Sequence, residues 1–247
     1  MTSFYRSILS LVELICLVAI VILLTKVPIE AQILPPDVGL VIQLSGDATY
    51  WNEGYQKTSE KAQAFMQVRQ GDHFKVAAGA MVQLVYFQNG RKETWKGPAA
   101  FVVGDAQSRA EGEKGLQAQP EVIILPAGAS QGMHRFPVLL RRAGLSRSGG
   151  MQIRGVGGGS LKATAPSEEE RTEIARAKET YQRLRKQTGV DDITPELNLL
   201  GVLADYDQFE EMEKVIQDTL KIQPSNEVLK ELAEWVRAQR LKPTPRK

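Results

Sequence analysis

The spacing of apolar residues changes along the chain and divides it into regions of different predicted structure. An almost unbroken apolar run comes first, at residues 8–25. From residue 38, apolar and polar residues alternate in short runs, as they do in half-buried β-strands. From residue 167, apolar residues recur every three or four positions, as they do on one face of a helix. We therefore predict a multi-domain α+β protein with an N-terminal transmembrane helix, an all-β short-strand domain and a C-terminal α-helical hairpin module.

The first apolar run predicts a membrane anchor or a signal segment within residues 1–30. A helix over residues 8–24 is about 26 Å long at ~1.5 Å per residue, close to the ~30 Å of a bilayer core. Arg6 precedes the run, so the positive-inside rule favours a single-pass protein of the inner membrane, with the bulk of the chain in the periplasm. The alternative is a secretory signal that is cleaved near Ala31, which would release the protein into the periplasm.

Residues 38–125 have the pattern of a β-domain built from short strands. The strongest local signal is Asn89-Gly90, which lies between the runs MVQLVYFQ and RKETW. Both central residues of a type I′ turn need a positive φ, which Asn and Gly adopt, so the pair predicts a β-hairpin. Both faces of the strand before the turn are largely apolar, which predicts a central strand that is covered on both sides.

The same region resembles a FecR-type β-domain. The resemblance lies in residues 68–104, with the Gly71-Asp72 turn, the Ala78-Gly79 pair before a long strand and the Gly97-Pro98 turn, preceded by the strand-like run GLVIQLSGDATYW. It implies an exported envelope protein without a catalytic motif, and in some members a relay of iron-uptake signals to a sigma factor. About seven residues precede the apolar run, so we expect this chain to lack the cytoplasmic segment that binds the sigma factor.

Residues 167–241 predict a helical module. Ser167, followed by three glutamates, has the sequence of a capping box and begins a helix that runs to Gly189. Thr194-Pro195 begins the next helix, since proline is favoured in the first helical turn. We predict that this helix covers about 195–205, that a second covers about 207–222, and that Ser225 caps a last one.

Part of this module resembles a tetratricopeptide repeat hairpin. The residues that carry the resemblance are Leu200-Gly201 in one helix and Phe209, Met212, Ile216, Leu220 and Pro224 in and after the next. At most one full repeat is present, whereas such repeats are normally stacked in threes. A small generic helical bundle fits the pattern equally well. In either case the natural use of the module is to dock a peptide or a protein.

Residues 126–166 separate the two predicted domains and predict a basic, glycine-rich linker. This segment contains six basic residues and no acidic residue. The simpler interpretation is a solvated interdomain linker. The functional interpretation is a contact with an anionic surface, such as lipopolysaccharide or phospholipid headgroups, which attracts clustered cations. The residues that would make this contact are Arg135, Arg141, Arg142, Arg147 and Arg154.

Composition and motifs give little support for enzymatic chemistry. The chain has one cysteine, Cys16 in the apolar run, and two histidines, so disulfide and Cys-rich zinc sites are excluded. Residues 128–132 match the GxSxG motif, but the only later histidine, His134, is too close for a hydrolase triad. The predicted role of both histidines is a hydrogen-bonded structural one. We predict no catalytic residues, no cofactor and no metal site.

The predicted function is therefore that of a non-enzymatic, single-pass envelope protein. Its exported β-domain and helical tail are expected to bind envelope proteins or cell-wall glycan, and not nucleic acid. The alternative is a membrane-tethered signal sensor or relay of the FecR type that lacks the cytoplasmic segment. The sequence leaves the oligomeric state open.

Overall fold

Short strands form the first part of the fold, and helices form most of the rest. A computed structural model of the protein describes residues 35–112, 118–148, 151–153 and 166–241. The strands of these ranges are β1 (Asp37–Ser45), β2 (Ala48–Asn52), β3 (Gln56–Lys61), β4 (Gln67–Arg69), β5 (His73–Val76), β6 (Met81–Tyr86), β7 (Arg91–Lys96), β8 (Ala99–Val103), β9 (Ser108–Ala110), β10 (Glu121–Ile124), β11 (Ser146–Ser148) and β12 (Met151–Ile153). The helices are α1 (Ala127–Arg142), α2 (Glu168–Gln187), α3 (Thr194–Asp205), α4 (Phe209–Ile222) and α5 (Glu227–Arg240).

The strands pair into two five-stranded antiparallel sheets and one two-stranded ribbon. Sheet A has the order β10-β7-β6-β1-β4, sheet B has the order β3-β2-β5-β8-β9, and β11 pairs with β12. The chain passes from one sheet to the other several times, so the two large sheets are built together rather than one after the other. Strand β6 lies in the middle of sheet A, which confirms the predicted central strand.

An aromatic core fills the space between the two sheets. The ring of Phe101 stacks on Phe74 and on Trp95, with ring centroids 5.1 Å and 4.3 Å apart. These three side chains are at most 1% exposed. Stacked aromatic pairs contribute beyond the apolar area that they bury, so this cluster stabilises the packing of sheet A against sheet B.

The other face of sheet A packs against the helices. Leu40 of β1 and Val85 of β6 belong to the same apolar cluster as the helical residues, whereas their sequence neighbours Val41 and Leu84 point into the sandwich. At one end of the strands, the ring of Phe65 meets Phe136 of α1 edge to face at 5.4 Å. The layers therefore follow in the order sheet B, sheet A, helices.

The hairpin predicted at Asn89-Gly90 is confirmed, but its turn differs from the predicted type. Strands β6 and β7 form the hairpin and are joined by residues 87–90. Of the two turn residues only Gly90 has a positive φ, at 65°. The Asn89 side chain instead accepts a hydrogen bond from the N–H of Arg91 and donates one to the carbonyl of Ala106. This side-chain turn replaces the backbone geometry of a type I′ turn.

Helix α3 is the centre of the helical layer, because its residues 194–204 are all buried. Helix α1 crosses it where two glycines meet. A Cβ atom on Gly201 would lie 2.3 Å from the carbonyl oxygen of Gly132, and one on Gly132 would lie 2.5 Å from the carbonyl oxygen of Asn198. The Asn198 side chain donates a hydrogen bond to the carbonyl of Ala129 at 2.5 Å. The two backbones can approach this closely only without side chains at the crossing.

The predicted fold class needs correction. The described chain consists of two large antiparallel sheets, a ribbon and five helices, and none of these helices is long and apolar enough to cross a membrane. The longest, α2, has 20 residues but is rich in Glu, Arg and Lys. The segment that we predicted as a transmembrane helix, residues 8–25, lies outside the described residues. The predicted transmembrane helix therefore has no support among the described residues.

Much of the predicted linker is ordered secondary structure. Residues 127–142 form α1, and the buried positions Ala129, Met133, Phe136 and Leu140 recur on one face of it. Glycines and Pro137 hid this helical spacing in the sequence, since both residue types disfavour helix interiors. Because α1 packs on sheet A and on α3, the β-domain and the helical module share one core. Residues 149–150 and 154–165 of the predicted linker lie outside the described residues.

The close crossing at Gly201 predicts that alanine at this position lowers the stability of the protein, although alanine favours helices. Gly201→Ala raises helix propensity by about 1 kcal/mol, but the added methyl group meets backbone that cannot turn away. We expect the collision to dominate and to lower the free energy of unfolding by about 1–3 kcal/mol, as in other overpacked cores. Urea denaturation followed by circular dichroism measures the change.

The matched control is Gly189→Ala, because a Cβ atom at Gly189 would meet no atom within 4 Å. Its stability should stay within about 0.5 kcal/mol of the parent protein. A Gly201→Ala variant as stable as this control would show that the crossing tolerates a side chain.

Candidate functional site

A groove with charged walls lies between α1 and α2, with α3 as its floor. Its volume is about 730 Å³, which lies within the range of small-molecule and peptide sites. Gly128 and Arg135 contribute from α1, and Val202 contributes from α3. The remaining wall is α2, with Glu169, Thr172, Glu173, Arg176, Ala177, Glu179, Thr180 and Arg183.

The sequence of α2 explains why one side of this helix is open. The predicted capping box is confirmed: the Ser167 hydroxyl accepts from the N–H of Glu170, and the Glu170 carboxylate accepts from the N–H of Ser167. Only a narrow stripe of α2 is buried, at Ile174, Ala177, Thr180 and Leu184. The other faces are charged and face solvent or the groove. Helix α2 therefore packs against the protein through one apolar stripe, and its remaining residues are open to solvent or to the groove.

Two exposed arginines stand on the α2 wall. Arg176 and Arg183 are seven residues apart, which places them about 10 Å apart along the same side of the helix. The Arg183 guanidinium donates a long hydrogen bond of 3.3 Å to the Thr180 hydroxyl. This bond leaves most of its five donors available to a partner.

A network of charged groups joins the α1 and α2 walls of the groove. Arg135 forms ion pairs with Glu173 at 2.6 Å and with Asp205 at 3.3 Å, and the Tyr206 hydroxyl donates to the Glu173 carboxylate. The hydrogen bond from Tyr206, opposed by partial burial and supported by Arg135, holds the pKa of Glu173 below its usual value. Burial raises the pKa of Asp205, although Arg135 and Arg142 act in the opposite direction.

One atom of this network has no hydrogen-bond partner. Nη1 of Arg135 is buried and finds no acceptor in the described part of the chain. A buried donor without an acceptor costs free energy. Arg135 therefore fixes Glu173 and Asp205 while retaining hydrogen-bonding capacity beside the groove.

No family model, curated protein or solved structure matches this chain. The resemblances to FecR-type domains and to tetratricopeptide hairpins stay predictions that rest on the residues quoted for them. A functional assignment therefore has to come from the geometry of the groove and its neighbours.

The arginines predicted to contact an anionic surface do not form one patch. Arg135 is paired as described above. Arg142 donates to the Ala204 carbonyl at 2.5 Å and to the Asp207 carboxylate at 2.6 Å, and so holds the end of α3. Arg141 is exposed. The side chain of Arg147 and the whole of Arg154 lie outside the described part of the structure. Sequence alone missed these pairings because the acidic partners are more than 30 residues away.

The GxSxG motif is part of a helix and has a packing role. Gly128 lines the groove and Gly132 forms the crossing with α3, so the geometry is not that of a nucleophile elbow. His134 contacts the carbonyl oxygen of Phe87 at 2.9 Å through Nε2, and His73 pairs with Glu111 at 2.9 Å. The predicted structural role of both histidines is confirmed. Among the described residues no group of His, Cys, Asp or Glu is arranged to hold a metal ion.

A buried ion pair fixes the loop between α2 and α3 to sheet A. Lys92 of β7 pairs with Asp192, and their side chains are 3% and 11% exposed. Asp192 also accepts from the N–H of Thr194 at the start of α3. Although burial raises the pKa of Asp192, the charge and hydrogen bond of Lys92, together with the bonds from Thr194, outweigh it and hold this pKa below the usual value. The sequence contained no signal for this pair, which joins residues 100 positions apart.

We expect Lys92→Met to destabilise the protein because it leaves the Asp192 carboxylate buried without a counter-charge. Breaking a buried pair in this way costs about 3–5 kcal/mol. With its low folded pKa, Asp192 stabilises the parent above the ordinary Asp pKa and loses this contribution as the pH falls. In the variant its pKa is raised instead, so acidification relieves the penalty. The difference in unfolding free energy should therefore be largest at neutral pH and shrink below about pH 4.

The control for this experiment is Lys96→Met on the same strand. Lys96 pairs with Glu121 at 2.6 Å, but the two side chains are 63% and 67% exposed. Exposed pairs contribute about 0–1 kcal/mol. Urea midpoints that are equal for the two variants at pH 7 would contradict the role assigned to Lys92.

Proposed function

We propose that the protein is a non-enzymatic protein-binding module whose groove between α1 and α2 holds an acidic peptide segment of a partner. The observation that carries this proposal is the pair of exposed arginines, Arg176 and Arg183, on the wall of a cavity that also contains Arg135. Guanidinium groups bind carboxylates through paired hydrogen bonds. Carboxylates of a partner are therefore the groups that these two arginines would bind best.

The dimensions of the groove favour a peptide over a small molecule. Its lining extends along α2 from Glu169 to Arg183, which is about 21 Å at 1.5 Å per residue. An extended chain covers this length with about six residues. At Gly128 the start of α1 packs close to α2, since a Cβ atom there would lie 3.3 Å from the Thr180 hydroxyl oxygen. A short extended segment therefore fits the groove along its length.

The network around Arg135 supports a binding role. Glu173 is hydrogen-bonded to Tyr206 and ion-paired with Arg135, so its charge is largely compensated. The same contacts connect α1, α2 and the end of α3, so the walls are already held in place. A preformed site loses less conformational entropy on binding than a site that has to be assembled.

A labelled hexaglutamate peptide tests the proposal, with hexalysine as the probe of opposite charge. We expect the full chain to bind hexaglutamate in fluorescence anisotropy, with an affinity that falls as salt is added. Replacing both exposed arginines, Arg176→Gln with Arg183→Gln, should weaken binding about fivefold, which corresponds to about 0.5 kcal/mol for each exposed contact.

Arg171→Gln is the matched control, since Arg171 is an exposed arginine of α2 that pairs with Glu168 and does not line the groove. Its affinity for hexaglutamate should equal that of the parent chain. Equal weakening by Arg171→Gln and by the double variant would mean that binding follows net charge and not the groove. Preferential binding of hexalysine would also overturn the proposal.

A further inference from the structure

Strand β10 is an edge strand with an unusual surface. It pairs with β7 on one side and is the last strand of sheet A. All four of its residues are exposed, and three in succession are large and apolar: Val122 is 40% exposed, Ile123 51% and Ile124 61%. Proteins normally protect an open sheet edge against pairing with another chain. An apolar open edge is therefore a mark of an interaction surface.

The other edges of the two sheets have the protection that β10 lacks. Strand β3, at one edge of sheet B, reads QKTSEK and so carries charged and polar residues. Strand β9, at the opposite edge, is the short run SRA. At the far edge of sheet A, Gln67 and Val68 of β4 are buried. The apolar surface is thus confined to β10 among the described edges.

The backbone of β10 is oriented for pairing. Leu125, the next residue, donates its N–H to the carbonyl of Gly90 on the β7 side. Residues of an antiparallel strand alternate in the direction of their hydrogen bonds, so Ile123 also faces β7. The N–H and C=O groups of Val122 and Ile124 consequently point to the open edge.

We propose that β10 pairs antiparallel with the β10 of a second copy of this chain. In one register every outward N–H and C=O group of Val122 and Ile124 is hydrogen-bonded. This register places Val122 opposite Ile124 of the other copy, and Ile123 opposite Ile123 of the other copy on the two-fold axis. This register forms four backbone hydrogen bonds and joins two five-stranded sheets into one. The proposal does not depend on the groove between α1 and α2.

A second copy is the occupant because the strand is complementary to itself. In this register Val122 and Ile124 contact each other across the interface on one face, and the two Ile123 side chains meet on the other face. Glu121 lies opposite Leu125, so no like charges face each other across the axis. Glu121 also has its own cation, Lys96. The interface is small, so we expect a weak dimer whose population rises with protein concentration.

Disulfide trapping tests the register directly. Residues that face each other in a non-hydrogen-bonded pair have Cα atoms about 4.5 Å apart, which lies within the range of about 4.4–6.8 Å for disulfides. In a full chain carrying Cys16→Ser, the variant Ile123→Cys should form a covalent dimer under mild oxidation. We expect at least tenfold faster cross-linking than with Val138→Cys, a control at an exposed apolar residue of α1 that is 43% exposed.

Two further variants separate strand pairing from chance collision. Ile124→Pro, added to the Ile123→Cys variant, removes an N–H that points to the open edge and leaves the hydrogen bond from Leu125 to Gly90 in place. Adding Val122→Lys instead places two cations in the interface without changing the backbone. Either change should reduce cross-linking of Ile123→Cys at least fivefold while the circular dichroism spectrum stays the same. Cross-linking no faster than with Val138→Cys, or unaffected by Val122→Lys, would overturn the proposal.

Discussion

The close crossing of α1 and α3 at Gly132 and Gly201 is the contact on which the arrangement of this protein depends. Carbonyl and amide groups of the two helices lie so close that a single methyl group has no space. Phe136 lies on the same side of α1 as Gly132, since residues four apart share a helix face, and its ring contacts Phe65 in the loop between β3 and β4. Helix α1 also shares an apolar cluster with Leu40 and Val85 of sheet A. Through these contacts α1 connects the β-sandwich to the other helices.

The candidate groove is a consequence of the same crossing. Helix α2 packs beside α3 through a narrow buried stripe, and Arg135 of α1 reaches across to Glu173 of α2. The groove is the space left between two helices that are both fixed to a third. The Lys92–Asp192 pair fixes the loop before α3 to the sheet. The walls of the groove are therefore supported from the helical layer and from the β-sandwich.

Local patterns in the sequence predicted local structure well. The capping box at Ser167, the hairpin at Asn89-Gly90 and the central position of β6 each depend on a few neighbouring residues, and the structure contains all three. The resemblance to a tetratricopeptide hairpin placed Gly201 in a helix, and the structure shows that this glycine lies at the close crossing with α1. A glycine within a helix is compatible with a close helix crossing, whereas only the fold shows which helix crosses there.

The errors arose where the outcome depends on distant parts of the chain. Residues 127–142 look like a linker by composition, because glycine and proline usually interrupt helices, yet here the glycines are what allows α1 to pack. Arg135 and Arg142 look like free cations, and their carboxylate partners are 38 and 65 residues away. The transmembrane assignment rested on residues outside the described ranges. The groove between α1 and α2 could not be predicted, since neither helix shows its neighbour in its own sequence.

The central claim is that the sheets and the helices form one cooperative unit through α1. Native-state hydrogen exchange of the full chain, followed by mass spectrometry, tests it most directly when the parent is compared with Phe136→Ala. The account predicts that the slowest amides of β6 and of α3 open with the same free energy, and that the substitution lowers both by the same amount. Loss of protection in α3 alone, with β6 unchanged, would show that the helical layer unfolds independently and would contradict the account.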